Sequence, residues 1–335
     1  TKVTEYEIFI PVYNVPPTVT ITEAPIEAME GEELFFKATH TDPSAVDKHT
    51  YYWDFDDDSG QQGPFESYNN SNQIEHKYYN DGLYNIMAIA KDDDEDADTV
   101  YYQIKIKNIP PVLEELKHNK NANEGERVSF RAEFFDQGIN DIHTFKWNFG
   151  DQVTDSSFNN LIDHTYMDNG SYDISLIIFD EALDSDTIKS EITIQNVAPK
   201  IKAIIPENGD EGKPILLSLA IHDEGENDTH KISWDLGDNN QDSTMELTHK
   251  YIDDGIYTIN ISVEDDDGGT DSWVQEIKIH NVAPTIELTI PETASEGDTL
   301  KFEANVLDLG INDTFTYLWN FGDGSTDSLQ STTKI

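Results

Sequence analysis

Apolar and polar residues alternate along several short stretches of the chain. The clearest is Tyr257-Thr-Ile-Asn-Ile-Ser-Val-Glu-Asp265, matched by Tyr172 to Ile178 and, more weakly, by Tyr84 to Ala90. A period of two sets alternate side chains on one face, so each stretch predicts a strand with one buried side. Further runs at Ile215 to Ile221, Lys231 to Leu236, Met245 to Tyr251 and Ser272 to Ile279 are separated by turns rich in Asp, Gly and Asn. No segment carries a convincing helical stripe. Short strands at close intervals predict an all-β chain arranged as a sandwich.

The pattern recurs. The stretch Asp136-Gln-Gly-Ile-Asn-Asp-Ile-His-Thr-Phe-Lys-Trp-Asn-Phe-Gly-Asp151 returns at Asp223 to Asp238, at Asp308 to Asp323 and, more loosely, at Asp42 to Asp57. Trp53, Trp147, Trp234 and Trp319 follow one another at 94, 87 and 85 residues, and Asn14, Asn108, Asn196 and Asn281 at 94, 88 and 85. Two markers with the same drifting spacing identify an internal repeat. Complete copies span residues 14–107, 108–195 and 196–280, each opening on Asn-x-x-Pro, and residues 281–335 form a partial copy. Ile8 to Tyr13 precede Asn14-Val-Pro-Pro as Tyr102 to Lys107 precede Asn108-Ile-Pro-Pro, so residues 1–13 are expected to be the last strand of an earlier copy. The partial copy lacks the later strands, which further chain or strand donation by another chain would supply.

Within a copy, the tryptophan falls in the third strand and a tyrosine opens the sixth, after Asp81-Gly82, Asn169-Gly170 and Asp254-Gly255. Those positions fit tandem immunoglobulin-like seven-stranded β-sandwich repeats with a tyrosine at the E to F corner. Asn-Phe-Gly-Asp and its relatives read as tight turns. His76, His164 and His249 each stand two residues before a tyrosine, a pattern that predicts packing or hydrogen bonding near a corner.

Composition narrows the function. Against 21 basic side chains stand 67 acidic ones, a formal net charge of −46 that opposes nucleic acid and anionic membranes and favours divalent cations as partners. The longest apolar stretch is about as long as Ile174 to Phe179, far shorter than a membrane-spanning helix, so no direct membrane insertion is expected in this segment. Cysteine is absent, which leaves stability to the core, a bound metal or both. The opening Thr1-Lys-Val-Thr shows no signal-peptide pattern, and the chain is expected to be a mature or excised part of a longer protein.

Trp147-Asn-Phe-Gly-Asp151, His164-Thr-Tyr166 and Asn169-Gly-Ser-Tyr-Asp-Ile-Ser-Leu-Ile-Ile-Phe-Asp180 together resemble the PKD (polycystic kidney disease) domain family. The resemblance covers nearly the whole chain. The first copy departs from it, since Trp53-Asp-Phe-Asp-Asp-Asp58 lacks the turn glycine and Pro43 stands where the others keep Asp-x-Gly spacing. The resemblance implies an extracellular, non-catalytic, immunoglobulin-like module of the kind found in prokaryotic surface-layer proteins, adhesins and secreted hydrolases. It also implies calcium held by a linker Asn, acids after the second strand and an acid after the sixth. These map onto Asn108, Asp136, Asp141 and Asp180; Asn196, Asp223, Asp228 and Asp265; more loosely Asn14, Asp42, Asp47 and Asp92; and, in the partial copy, Asn281, Asp308 and Asp313.

Strand direction offers an independent reason. In an up-and-down sandwich, the linker, the second-to-third loop and the sixth-to-seventh loop share one end. Acids crowded there would repel one another unless a hard cation taking six to eight oxygens joined them. The alternative is that these acids merely solvate turns, as Asp93, Asp94, Asp266 and Asp267 are expected to do. Asp92, Asp94 and Asp96 are not an EF-hand, because Ala97 and Gln103 occupy its sixth and twelfth positions.

No metalloprotease, nucleophile-elbow or phosphate-loop pattern occurs, and no catalytic or organic-cofactor residues are expected. Sequons at Asn69, Asn169, Asn227, Asn260 and Asn312 are candidate glycosylation sites, with Asn227 and Asn312 inside the acidic loop. The expected function is a structural repeat region of an extracellular or cell-surface protein (surface layer, adhesin stalk or filament), stiffened by calcium at its junctions. Its partners would be Ca2+, neighbouring repeats or other copies, and surface glycans. The alternative is an accessory spacer or substrate-binding region of a large secreted hydrolase, which exposed aromatic rows including Tyr101, Tyr102 and Trp273 would support; homotypic adhesion is a third.

Overall fold

The structure, a computed structural model, describes residues 2–335. Two compact units are present: residues 2–120, Val128–His164 and Ser171–Ile192 in one, and Asn121–Arg127, Thr165–Gly170 and Thr193–Ile335 in the other. All regular elements among the described residues are strands.

The first unit contains the whole of the first repeat. Its strands are β1 (Thr18–Glu23), β2 (Glu27–Met29), β3 (Leu34–Thr41), β4 (Thr50–Asp54), β5 (Gln62–Glu66), β6 (Ser71–His76), β7 (Gly82–Lys91) and β8 (Ala97–Lys107). They form a three-stranded sheet β1-β3-β6 and a five-stranded sheet β2-β8-β7-β4-β5. The expected seven strands become eight elements because the first is divided. β1 pairs antiparallel with β3, and β2 then runs parallel to β8 in the other sheet, Ala28 opposite Ile106. Pro25 sits between them, where a residue without an amide hydrogen costs no ladder bond.

Two inward faces meet over Phe36, Trp53, Phe55, Tyr78 and Ile86, all buried. Trp53 is stacked parallel to Phe55 at 6.0 Å, and its Nε1 donates to Asn72 Oδ1 at 2.9 Å, so the indole is buried without an orphaned donor. Phe55 in turn stacks on His76 at 3.9 Å, and His76 Nε2 lies 2.8 Å from Asp57 Oδ2. The corner role expected for His76, His164 and His249 is therefore a hydrogen-bonded clasp over the core, with His164 on Asp151 at 2.6 Å and His249 on Asp238 at 2.7 Å. The Tyr84 hydroxyl donates to Asn80 O and the Tyr257 hydroxyl to Asp253 O, each bridging four residues back across the E to F corner.

The second repeat supplies β9 (Val112–Lys117), β10 (Asn121–Asn123), β11 (Arg127–Phe135), β12 (Thr144–Asn148), β13 (Thr154–Ser157), β14 (Leu161–Thr165), β15 (Gly170–Phe179) and β16 (Ser185–Gln195). In the first unit, β11 pairs with β9, and β12 pairs with β13 and with β15, Trp147 opposite Leu176. In the second unit, Asn121–Asn123 run parallel to residues 193–195.

The third repeat lies wholly in the second unit. It comprises β17 (Lys200–Ile204), β18 (Asn208–Asp210), β19 (Ile215–His222), β20 (His230–Asp235), β21 (Gln241–Asp242), β22 (Glu246–His249), β23 (Gly255–Asp265) and β24 (Thr270–His280). Its sheets, β17-β19-β22 and β18-β24-β23-β20-β21, reproduce those of the first repeat. The alternating stretch from Tyr257 to Asp265 is β23, with Ile259, Ile261 and Val263 buried around Trp234.

The partial repeat has β25 (Thr285–Thr289), β26 (Leu300–Leu307), β27 (Trp319–Asn320), β28 (Thr326–Asp327) and β29 (Ser331–Lys334). β25-β26-β29 make one sheet and β27-β28 a hairpin. With no counterpart of β23 and β24, Trp319 is only partly buried, whereas Trp53, Trp147 and Trp234 are fully buried. Lys334 replaces the histidine of the corner clasp and lies 3.0 Å from Asp323. Residues 2–17, where the last strand of an earlier copy was expected, contain no strand, and Ile8, Phe9 and Ile10 stand 83%, 88% and 77% exposed. A closing strand needs a neighbour for its ladder, and no described strand pairs with this segment.

Candidate metal centres at the repeat seams

The turn Asp-x-Gly-x-Asn-Asp follows β11 and β19, and its geometry is set by its first acid. Asp136 Oδ1 accepts the Gly138 amide at 3.1 Å while Oδ2 meets His143 Nε2 at 2.8 Å. Asp223 repeats this with Gly225 at 3.3 Å and His230 at 2.8 Å, and Asp42 with Ser44 at 2.7 Å and His49 at 3.0 Å. The first acid thus shapes the loop as well as facing the cluster. In the partial repeat Phe315 takes the histidine position, and Asp308 Oδ2 is left without a partner.

The bend brings the second acid back over the glycine. A Cβ at Gly138 would lie 2.4 Å from Asp141 Oδ2, and one at Gly225 2.7 Å from Asp228 Oδ2, so the glycine leaves room for the carboxylate. The first repeat has Ser44 there instead, and its hydroxyl donates to Asp47 Oδ1 at 2.7 Å.

The linker and the sixth-to-seventh loop meet the same end. Asn14 Nδ2 donates to Asp92 and Asp96 at 2.8 and 2.9 Å; Asn108 Nδ2 to Asp180 and Asp184, both at 2.8 Å; Asn196 Nδ2 to Asp265 at 3.1 Å. Asp92, Asp180 and Asp265 are each 4% exposed. With its amide hydrogens spent on the acids, each linker asparagine can turn Oδ1 elsewhere, and Asn196 Oδ1 is buried without a partner. Ligating oxygens of Asp42, Asp47 and Asp92 lie within 4.8 Å of one another, as do those of Asp223, Asp228 and Asp265. Residues 281–335 contain no sixth-to-seventh loop to place beside Asn281.

Sequence reasoning missed a second contribution to these sites. Glu30, Asp136 and Asp141 form one cluster; Glu124, Asp168 and Asp228 a second; Glu211, Asp253, Asp254 and Asp313 a third. In each the glutamate belongs to the preceding repeat. Glu30-Gly31, Glu124-Gly125, Glu211-Gly212 and Glu296-Gly297 recur at 94, 87 and 85 residues, the tryptophan spacing, so the signal was in the sequence. The glycine explains the pairing. Gly31 and Gly212 have φ of +71° and +67°, and a Cβ there would stand 2.2 Å from Gln137 Cγ and 2.7 Å from Leu309 Cβ, atoms of the following repeat's acidic turn.

Crowding shows in the carboxyl groups themselves. Burial, followed by the charges of Glu30 and Glu181, pushes Asp141 up to about 7; burial, followed by Glu124 and Asp223, pushes Asp228 up to about 6. Burial likewise raises Glu30 and Glu124. A carboxyl raised on folding holds its proton where the unfolded chain has lost it, so its contribution to stability falls as pH climbs from about 4 towards about 7. In chelator, wild-type protein should therefore lose stability between pH 5 and pH 7.5 relative to Asp141→Asn/Asp228→Asn. Urea titrations measure this, and parallel pH profiles for the two proteins would contradict it.

Of the sequons, Asn69 and Asn260 are exposed. Asn227 is exposed on the acidic turn, and Asn312 Nδ2 donates to Asp253 Oδ2 at 2.8 Å, a bond a glycan on that nitrogen would replace. Asn169 lies in the turn before β15, partly buried.

These features define the chain as an array of immunoglobulin-like β-sandwiches whose loop-bearing ends carry acids against the preceding module. It belongs to the PKD domain family, whose profile matches residues 14–106, 108–194, 196–280 and 281–335. Solved structures with a similar fold include the PKD1 domain of Vibrio anguillarum Epp, at 24% identity over 25% of this chain and 96% of that one, with a TM-score of 0.22. The PKD domain of an M14-like peptidase from a Thermoplasmatales archaeon matches at 24% identity over 28% of this chain and 94% of that one, TM-score 0.24. Sidekick-1 immunoglobulin domains 1–5 match at 13% identity over 78% of this chain, TM-score 0.40, and the chain spans 58% of that structure's length.

Proposed function

We propose that these PKD repeats are a non-catalytic structural region of an extracellular or cell-surface protein, such as a surface layer, adhesin stalk or filament, held in register by calcium at each seam. The observation that carries this reading is the concentration of buried acceptors. Among the described residues, the buried side-chain oxygens without a hydrogen-bond partner are Glu30 Oε2, Glu124 Oε2, Asp141 Oδ2, Asn196 Oδ1, Glu211 Oε2, Asp228 Oδ2 and Asp308 Oδ2, and all lie at the seams. Leaving such oxygens unpaired is costly, and a hard cation satisfies several at once while cancelling their charge. Oxygen-only ligands without thiolate or imidazole fit calcium rather than zinc. The acids of one module would then be bridged to its linker, and the hinge between modules would lose its freedom.

The hydrolase alternative draws less support. Tyr101 is 68% exposed, but Tyr102 and Trp273 pack against their cores, so the three do not form an aromatic row. Isothermal titration of the chelator-treated chain should show calcium binding at about 10⁻⁴ to 10⁻³ M, the range of extracellular modules. Small-angle scattering should show a narrower spread of conformations with calcium than in chelator. No binding heat together with unchanged scattering would refute the proposal.

A further inference from the structure

We infer that Glu30, Glu124 and Glu211 are cation ligands that each repeat donates to the repeat after it, so that every seam site is complete only when two consecutive modules abut. This rests on the calcium reading above and adds its interdomain half.

The argument begins with how each glutamate is held. Glu30, Glu124 and Glu211 are 0%, 1% and 0% exposed. One oxygen of each carboxylate is fixed by the linker. Glu30 Oε1 accepts the Ile109 amide at 2.6 Å, Glu124 Oε1 the Val197 amide at 2.5 Å, and Glu211 Oε1 the Val282 amide at 2.7 Å. Each of these amides belongs to the residue directly after the linker asparagine. The other oxygen, Oε2, has no hydrogen-bond partner at any of the three seams.

What the free oxygen faces decides its role. Glu30 clusters with Asp136 and Asp141, Glu124 with Asp228 and its own repeat's Asp168, and Glu211 with Asp313 and its own repeat's Asp253 and Asp254, so each cluster includes an acid of the next repeat's turn. Asp141 Oδ2 and Asp228 Oδ2 are themselves buried and unpartnered. A glutamate serving only to cap the linker would have no reason to bury its second oxygen against other carboxylates. The arrangement occurs at three seams with the same linker bond and the same orphaned oxygen, which argues for a common partner that is neither donor side chain nor amide. A divalent cation is the species that turns this repulsion into attraction.

At the first seam the glutamate stands apart from the acids at the front of its own module. Glu30 and the acids Asp42, Asp47 and Asp92 of its own repeat belong to separate clusters. A module thus carries one group of acids at its front and, at its back, a glutamate joined at the later seams by Asp168 or by Asp253 and Asp254. Calcium affinity becomes a report on whether neighbours are joined in register.

The test uses the full chain with Glu124→Gln, which keeps the size of the side chain and an oxygen for the Val197 amide. Calcium titration is expected to show one site weakened at least tenfold and the rest unchanged, with Glu211→Gln giving the same result at the following seam. The melting temperature of Glu124→Gln should be lower than wild type in calcium, but equal or higher in chelator, where losing a charge relieves repulsion. Unchanged calcium binding in both variants would overturn the inference; the calcium reading would survive if Asp265→Asn still weakened a site. Equal destabilisation with and without calcium would also overturn it, by reducing the glutamate to a linker cap. A wild-type chain that binds no calcium removes both.

Discussion

Calorimetry of the full chain in 10 mM calcium should give melting transitions about 10–20 °C above those in chelator. The magnitude follows from linkage. A ligand that binds only the folded state stabilises by RT ln(1 + [L]/Kd), about 2.7 kcal/mol per site when calcium stands a hundredfold above its dissociation constant. In a module of this size, 1 kcal/mol moves the midpoint by about 4–8 °C. Without metal, Asp141 and Asp228 sit among other buried acids, a repulsion that a bound cation would relieve and that the dissociation constant already includes. The second and third repeats each contribute to two seams, the third through Asp223, Asp228 and Asp265 at its front and Glu211 at its back, so both should respond. Magnesium should do less, since it keeps its waters and resists an irregular shell of carboxylates. Coincident transitions in calcium and chelator would leave the seams without a role for the ion.

Replacing Trp234 by alanine is expected to lower the melting transition of the third repeat while the first melts as before. The indole is fully buried on β20, between β23 and β21, opposite Ile261 of β23, and donates from Nε1 to the Thr244 carbonyl at 2.9 Å. Truncating a core tryptophan costs about 3–5 kcal/mol through lost burial and the cavity left behind. A domain of this size has a total stability of only about 4–13 kcal/mol, and there is no cysteine to cross-link it. The consequence reaches past the mutated core, because both seams touching the third repeat lose their ligands when it melts. Calcium stoichiometry should fall across the new low-temperature transition. A loss of under about 1 kcal/mol with full calcium binding would show that the repeats support one another more than their separate cores imply.

Much of this protein could be read from the chain before any coordinates. Period-two alternation located β23 and its counterparts, and the doubly marked repeat placed Trp53, Trp147 and Trp234 in equivalent cores. Turn chemistry placed the tyrosines at their corners. Repetition makes such reading strong, because each copy is an independent trial of the same local rules. Two local details escaped it. The first strand is divided between the sheets, which depends on where the opposite sheet offers an edge for residues such as Glu27 to Met29. The histidines His49, His143 and His230 clamp the first acid of each turn, a contact across the loop that no spacing rule announces.

Local sequence determined the strands, the turns, the repeat and the acids Asp136, Asp141 and Asp180 as members of one end of a module. Only the tertiary structure decided that Glu30, Glu124 and Glu211 belong with the following repeat's acids. The reason is physical: alternation and turn propensity act between residues close in the chain, whereas Glu124 and Asp228 become neighbours only after two sandwiches have closed and the linker between them has docked on the glutamate.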